Sequence, residues 1–427
     1  MPFHAFQPHG RSAGLRSALL ALALGSSAAQ ADTSPQQAGA LALVSATAAG
    51  QAVGGYAPCG LSADGQFVTF MSESSALVAG DTNGIEDVFV KNLRSGAVQR
   101  ISTSSKGKQW ARPASCRQVT PDGRYVLMGQ DRAVLLKDVQ TGAVHPISPA
   151  ADAIPNNTGY SAGSVSDDGQ TISFVTIPTQ TYLGGYQWVN TVPARILVRR
   201  LDTGELTTLD TDNGRTADGE IVLGHLNARL SPDGTRIAFV SSSPDLVAGD
   251  TNGQPDVFVR ELATGATVLA SSSSNGTPAE LTHCCFQGYY RVEWVNNTVL
   301  QFSMSQAHSL GPVGDYLKDL STGQLSLLLA TSDGASPVVS ADLATMVFGR
   351  LYGDGFNYRL FQRDRATGAE QVLSSSSSGK AGNGQAGSSL MARDGRHVVF
   401  SSNASNLVRP KPPAGSFQVY VKTIGAP

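Results

Sequence analysis

The stretch Leu61–Ser102 aligns with Leu230–Ser271 without a gap, and 23 of the 42 positions are identical. Within it, "LVAGDTNGIEDVFV" (Leu77 to Val90) returns as "LVAGDTNGQPDVFV" (Leu246 to Val259) with 12 of 14 positions unchanged. A chain that copies a segment of this length is a repeat array, and the repeat limits its fold more than any other feature. Each copy has the same order. A turn, Ser62–Gly65 or Ser231–Gly234, is followed by a β-rich run, "QFVTFMS" or "TRIAFVS". A loop then leads to "DVFVKNL" or "DVFVREL", a second turn, and a last strand, "AVQRIS" or "ATVLAS".

Weaker copies fill the rest of the chain. "VTPDGRYVLMG" pairs with "AVLLKDVQTGAVHPIS", "VSDDGQTISFV" with "ARILVRRLDTGELTTL", and "WVNNTVLQFSM" with "DYLKDLSTGQLSLLL". "VSADLATMVFG" pairs with "YRLFQRDRATGAEQVLS", and a last start, "MARDGRHVVFS", is followed only by "FQVYVKTIG". Asp-Gly and Thr-Gly supply the positive-φ residue of a tight hairpin turn, so each unit reads as a four-stranded antiparallel meander. Such a sheet cannot bury both faces by itself. Repetition around an axis packs every face on a neighbour, which predicts an all-β, seven-bladed β-propeller. Seven units begin but six finish, and "LALVS" near the N-terminus stands where a fourth strand should be. It is expected to complete the last blade and hide its edge.

"SPDGTRIAFVS" followed by "DVFVRELATG" resembles the WD40-like (PD40) repeat of TolB-like propellers in exported bacterial proteins. The resemblance spans almost all of residues 32–427 and implies a single propeller domain. It is strong in the blades at 61–102 and 230–271 and weaker near 296 and 341, where Asp-Gly is lost. No separate α/β domain precedes the repeats, so a role in the Tol system is not carried over.

Residues 1–31 read as a secretory signal: Arg11 and Arg16, the apolar run "SALLALALGSSA", and Ala29-Gln30-Ala31 as a small-residue cleavage site. The apolar run is shorter than the roughly 20 residues of a membrane span. The expected localisation is periplasmic or secreted. A formal charge of −2 with no basic cluster gives no electrostatic support to a nucleic-acid or anionic-membrane partner.

The GDTNG loops place oxygens at Asp81, Asn83 and Asp87, and at Asp250, Asn252 and Asp256. These types are ligands for calcium, and the loop resembles integrin-type calcium loops shortened by two residues. Asn-Gly and Asp are equally turn formers, and both readings stand. Gly159–Gly163, "GYSAG", matches a nucleophile-elbow pattern but has no helix after it. His145, His225, His283, His308 and His397 are scattered without metal-site spacing. Of the four cysteines, Cys59 and Cys116 fall just before the first strands of neighbouring blades and are expected to pair. Cys284 and Cys285 would then form a vicinal disulfide or two free thiols, with His283-Cys284-Cys285 as a zinc or copper alternative.

In an up-and-down meander, the loops between second and third strands lie on one face of the ring, with those leading to the next blade. The tight turns lie on the other. The long aromatic inserts are expected on the loop face: Trp110, Tyr182, Tyr186, Trp188, Phe286, Tyr289, Tyr290, Trp294, Tyr352, Phe356 and Tyr358. Such residues suit a protein or glycan partner. The expected function is therefore non-catalytic binding, in the envelope or outside the cell. The alternative is a hydrolase or lyase acting on an envelope or extracellular polymer at the central channel.

Overall fold

The computed structural model describes residues 39–425 except 56, 150–158, 178–179, 185–186, 191–194, 210–226, 242, 244, 253–254, 280–290, 305–308, 310, 333 and 353–356. The first blade runs from an inner strand at Ala57–Leu61 through Phe67–Ser72 and Asp87–Asn92 to an outer strand at Val98–Arg100. Inner strands of the next five begin the same pattern at Ala114–Val119, Tyr160–Val165, Arg229–Leu230, Val292–Trp294 and Ala335–Val339. The seventh has Ala386–Met391, His397–Ser402 and Gln418–Thr423, and its outer strand is Leu41–Leu43. Leu41, Ala42 and Leu43 pair antiparallel with Lys422, Val421 and Tyr420, so the two ends of the chain close the ring. The sequence-based fold holds in full: seven four-stranded antiparallel blades. Among the described residues, no helix is long and apolar enough to cross a membrane.

The turns fold for local reasons. Ser62 Oγ donates to Asp64 Oδ1 at 2.6 Å, and the same carboxylate oxygen accepts the Gln66 amide at 3.0 Å. Thr120–Asp122, Ser166–Asp168, Ser231–Asp233 and Ser340–Asp342 repeat this bond. Gly65 takes φ 70°, and a side chain there would also run into His397 of the seventh blade. In the sixth blade the glycine is replaced, and Leu343 adopts φ 64° in its place. That conformation is costly for a branched residue.

The core lies between blades rather than within them. Val88, Val90 and Ile101 of the first blade pack on Ala114, Val126 and Met128 of the second. The closing seam is of the same kind, with Val68, Phe70 and Phe89 against Val399, Val419 and Val421. Among the described residues, four of the seven seams are also stapled by a buried lysine. Lys91, Lys137, Lys318 and Lys422 occupy one register position in the third strand, and all are buried. Each amine reaches the preceding blade's outer-strand end: Lys91 donates to Leu43 O and Ala46 O, Lys137 to Thr103 O, Lys318 to Ser272 O, and Lys422 to Leu373 O and Ser375 O. Burial holds all four below the ordinary lysine range, and pushes Lys422 down to about 8.

Candidate functional site

Two surfaces could carry function: the channel on the ring axis and the loop face. The channel has a volume of about 730 Å³ and is lined from all seven inner strands. Sequence reasoning missed its polar wall. Arg229, Glu293 and Gln118 hold equivalent places, each one residue before the last paired position of its inner strand. Arg229 Nε lies 3.3 Å from Glu293 Oε2 in the next blade, while its Nη1 donates back to Gly163 O at 2.8 Å. Gln118 exchanges two hydrogen bonds with the Val165 backbone, and Arg291 Nη1 donates to Pro337 O at 3.2 Å. These links tie inner strand to inner strand around the axis.

Arg117 differs from these. It is the extra residue of a bulge between Cys116 and Gln118, it lines the channel, and among the described residues it has no hydrogen-bond or ion-pair partner. A bulge re-aims a side chain, here toward the axis. At the turn-face end, Arg393 of the seventh blade pairs with Asp167 of the third, so the channel is spanned there. Burial raises the Asp167 carboxyl while the Arg393 guanidinium pulls it back. Cys59 and Cys116 are bonded to each other with Cα atoms 5.8 Å apart. They lie within the first two inner strands, not ahead of them, and form part of the channel wall.

On the loop face, the insert of the third blade contains a hairpin, Gln180–Gly184 paired with Gln187–Asn190, in which Tyr182 stands opposite Trp188. The sixth blade prolongs its two middle strands, Thr345–Tyr352 and Asn357–Asp364, and places Leu351 opposite Tyr358. Leu351 is 48% exposed at this hairpin end. Tyr352 is held: its hydroxyl donates to Gly384 O at 3.1 Å, and the Arg359 guanidinium lies 4.0 Å from its ring centre. Trp110 packs against the seam between the first two blades. Trp294 is a correction. It ends the inner strand Val292–Trp294, next to the tight turn at the opposite end from the loops, and its indole donates to Arg229 O at 2.8 Å. The strand has no bulge and its turn lacks Asp-Gly, so the sequence reading mistook strand for insert. Tyr186, Phe286, Tyr289, Tyr290 and Phe356 lie outside the described residues, as do Cys284, Cys285, His225, His283 and His308.

The two GDTNG loops are no longer alike. In the first, Gln109 Nε2 donates to Asp81 Oδ1 at 2.9 Å and Asp87 Oδ2 at 3.2 Å, and Arg100 Nη1 is 3.4 Å from Asp81. Asn83 Oδ1 accepts the Ile85 amide and its Nδ2 donates to Trp110 O. The loop is satisfied from within and does not fit a calcium ion. In the second, Asp256 is 1% exposed and accepts from Ser271 Oγ and from Asn252 Nδ2, the latter at 2.8 Å. Burial, reinforced by the nearby Asp250 charge, pushes the Asp256 carboxyl up to about 7 against those bonds. Asp250 is also raised by burial, and its buried Oδ1 has no partner among the described residues. Among the described residues no three His, Cys, Asp or Glu side chains group as a metal cage.

The remaining motifs are structural. Ser161 of "GYSAG" sits inside the inner strand Tyr160–Val165, opposite Val175, with no strand-to-helix turn. His145 pairs with Leu136 in an outer strand, and His397 Nδ1 lies 2.5 Å from Asp394 Oδ2.

No family model matches the chain, and no curated protein matches it by sequence. Solved structures do match by fold. An oligogalacturonate lyase in complex with manganese is 15% identical over 87% of this chain and 90% of its own, with a TM-score of 0.53. The oligogalacturonate lyase of Vibrio parahaemolyticus is 12% identical over 87% and 91%, with a TM-score of 0.55. A prolyl endopeptidase is 12% identical over 90% of this chain and 51% of its own, with a TM-score of 0.51. At these identities the likeness is one of propeller fold.

Proposed function

We propose that this propeller is an exported, non-catalytic binding protein that takes a protein or glycan partner of the cell envelope or extracellular space on its loop face. The asymmetry of the two faces carries the reading. The turn face consists of short turns whose polar groups bond to one another. The loop side carries two paired hairpins with aromatic positions, Tyr182 in register with Trp188 and Tyr358 in register with the exposed Leu351. Aromatic side chains held by strand pairing lose little freedom on binding, and Trp and Tyr dominate interface energetics.

A second reading, an enzyme acting on an anionic polymer, is favoured by the arginine-bearing channel wall, in which Arg229 holds the Glu293 carboxylate. Polymer cleavage that is lost in Glu293→Gln would replace the first reading with this one. The test of the first is where a partner touches. A photo-crosslinking residue at Tyr358 should capture the partner from native envelope or culture extract, and the same residue at Glu205 on the turn face should not. Capture from Glu205 alone would place the partner on the other side.

A further inference from the structure

The divergence of the two GDTNG loops is an internal control, because the loops match at 12 of 14 positions, differing only at Ile85-Glu86 against Gln254-Pro255, while the residues that face their aspartates differ as well. In the first copy the aspartates are neutralised by the chain itself: Arg100 approaches Asp81, and the Gln109 amide bridges Asp81 and Asp87. Arg100 also reaches Gly80 O, at 3.3 Å from Nη2, so cation and donor close one site. The corresponding residues of the second copy, 169 positions on, are Leu269 and Pro278. Neither can donate. Asp250 is 6% exposed and its Oδ1 meets no donor among the described residues, while Asp256 is 1% exposed and takes the Asn252 amide of the same loop at 2.8 Å. Two buried carboxylates with no counter-charge among the described residues are costly, and an isolated buried charge is rarely tolerated.

We propose that the second loop holds a hard divalent cation, calcium, between Asp250 and Asp256, where the first loop uses Arg100 and Gln109. Calcium takes about six to eight oxygens in flexible geometry, so backbone carbonyls and water would complete the shell around the two carboxylates, whereas the smaller magnesium demands a near-ideal octahedron. The missing donors are side-chain N–H groups, so the occupant replaces a guanidinium and an amide. Calcium binding at this loop does not depend on where a partner binds.

The test uses the whole chain in chelator and in millimolar calcium. Wild type should bind one calcium by titration calorimetry, and its melting temperature should rise by about 3 °C at saturating metal. Asp250→Asn should abolish both binding and the rise, whereas Asp81→Asn should keep both. The decisive variant transplants the first loop's own cation: Leu269→Arg with Pro278→Gln should melt higher in chelator and no longer respond to calcium. A wild type that neither binds calcium nor shifts its melting temperature overturns the proposal, and would leave a proton as the occupant. So would an Asp81→Asn protein that loses the response, since that places the ion in the first loop.

Discussion

A chain lacking residues 32–49 should aggregate, or melt far below the intact protein. The deletion removes Leu41–Leu43 and so the whole outer strand of the seventh blade. It also removes the Val44 amide bond to Val419 O at 2.8 Å and the Ser45 hydroxyl bond to Gln418 Oε1, also at 2.8 Å. Val44 is fully buried, which alone is worth about 1.5–3 kcal/mol. Lys91 would lose its acceptors on Leu43 and Ala46, and an unpaired buried charge costs about 3–5 kcal/mol. Together these approach the total stability of an ordinary domain, about 5–15 kcal/mol. The strand Gln418–Thr423, buried along its length in the intact ring, would become an open edge. Size-exclusion chromatography and thermal melting measure this. A truncated protein that stays monodisperse and melts within a degree or two of the full chain contradicts the closure.

Lys422→Met should destabilise the protein by about 2 kcal/mol at neutral pH. Methionine keeps the packing of the stem but donates nothing. Leu373 O still accepts the Ser375 amide, so the Ser375 carbonyl is the acceptor left bare. The effect should also depend on pH in a fixed direction. Folding lowers the Lys422 amine from 10.5 to about 8. Between those values the unfolded chain holds the proton and the folded chain has shed it, so wild-type stability rises with pH relative to the variant. The gap measured by denaturant unfolding should therefore widen from pH 8 to pH 10. A gap that narrows over that window would mean the amine is not buried as described.

What was legible in the sequence follows from what repeats copy. Asp-Gly turns and the Ser-x-Asp bond behind them recur in local sequence, so blade count and strand order could be read directly. "LALVS" could be placed because a ring with one strand missing has only one seat for it. The inter-blade contacts were harder. The Arg229–Glu293 pair joins residues 64 apart, and neither has a motif. The lysine staples did leave a trace, since "DVFVKN", "VLLKD", "DYLKD" and "VYVKT" align their lysines, yet an alternating strand gives no sign that such a lysine is buried. The unlike fates of the GDTNG loops were invisible in the loops themselves. They are decided by Arg100 and Gln109 against Leu269 and Pro278, about one strand further along.

Under the proposed function the loop face, and not the turn face, recognises the partner. The direct measurement is quantitative capture of the native partner by wild type and two sets of variants. Tyr358 and Trp188 are the informative positions, because Tyr352 is tied into the fold by Arg359 and Gly384. Losing a hot-spot aromatic costs about 2 kcal/mol or more. Trp188→Ala with Tyr358→Ala should therefore weaken capture at least ~10-fold, with an unchanged melting temperature. Alanine at Arg94, Gln140 and Glu205, exposed on the turn face, should leave it within about twofold. Turn-face variants that abolish capture while the aromatic variants retain it would contradict the assignment.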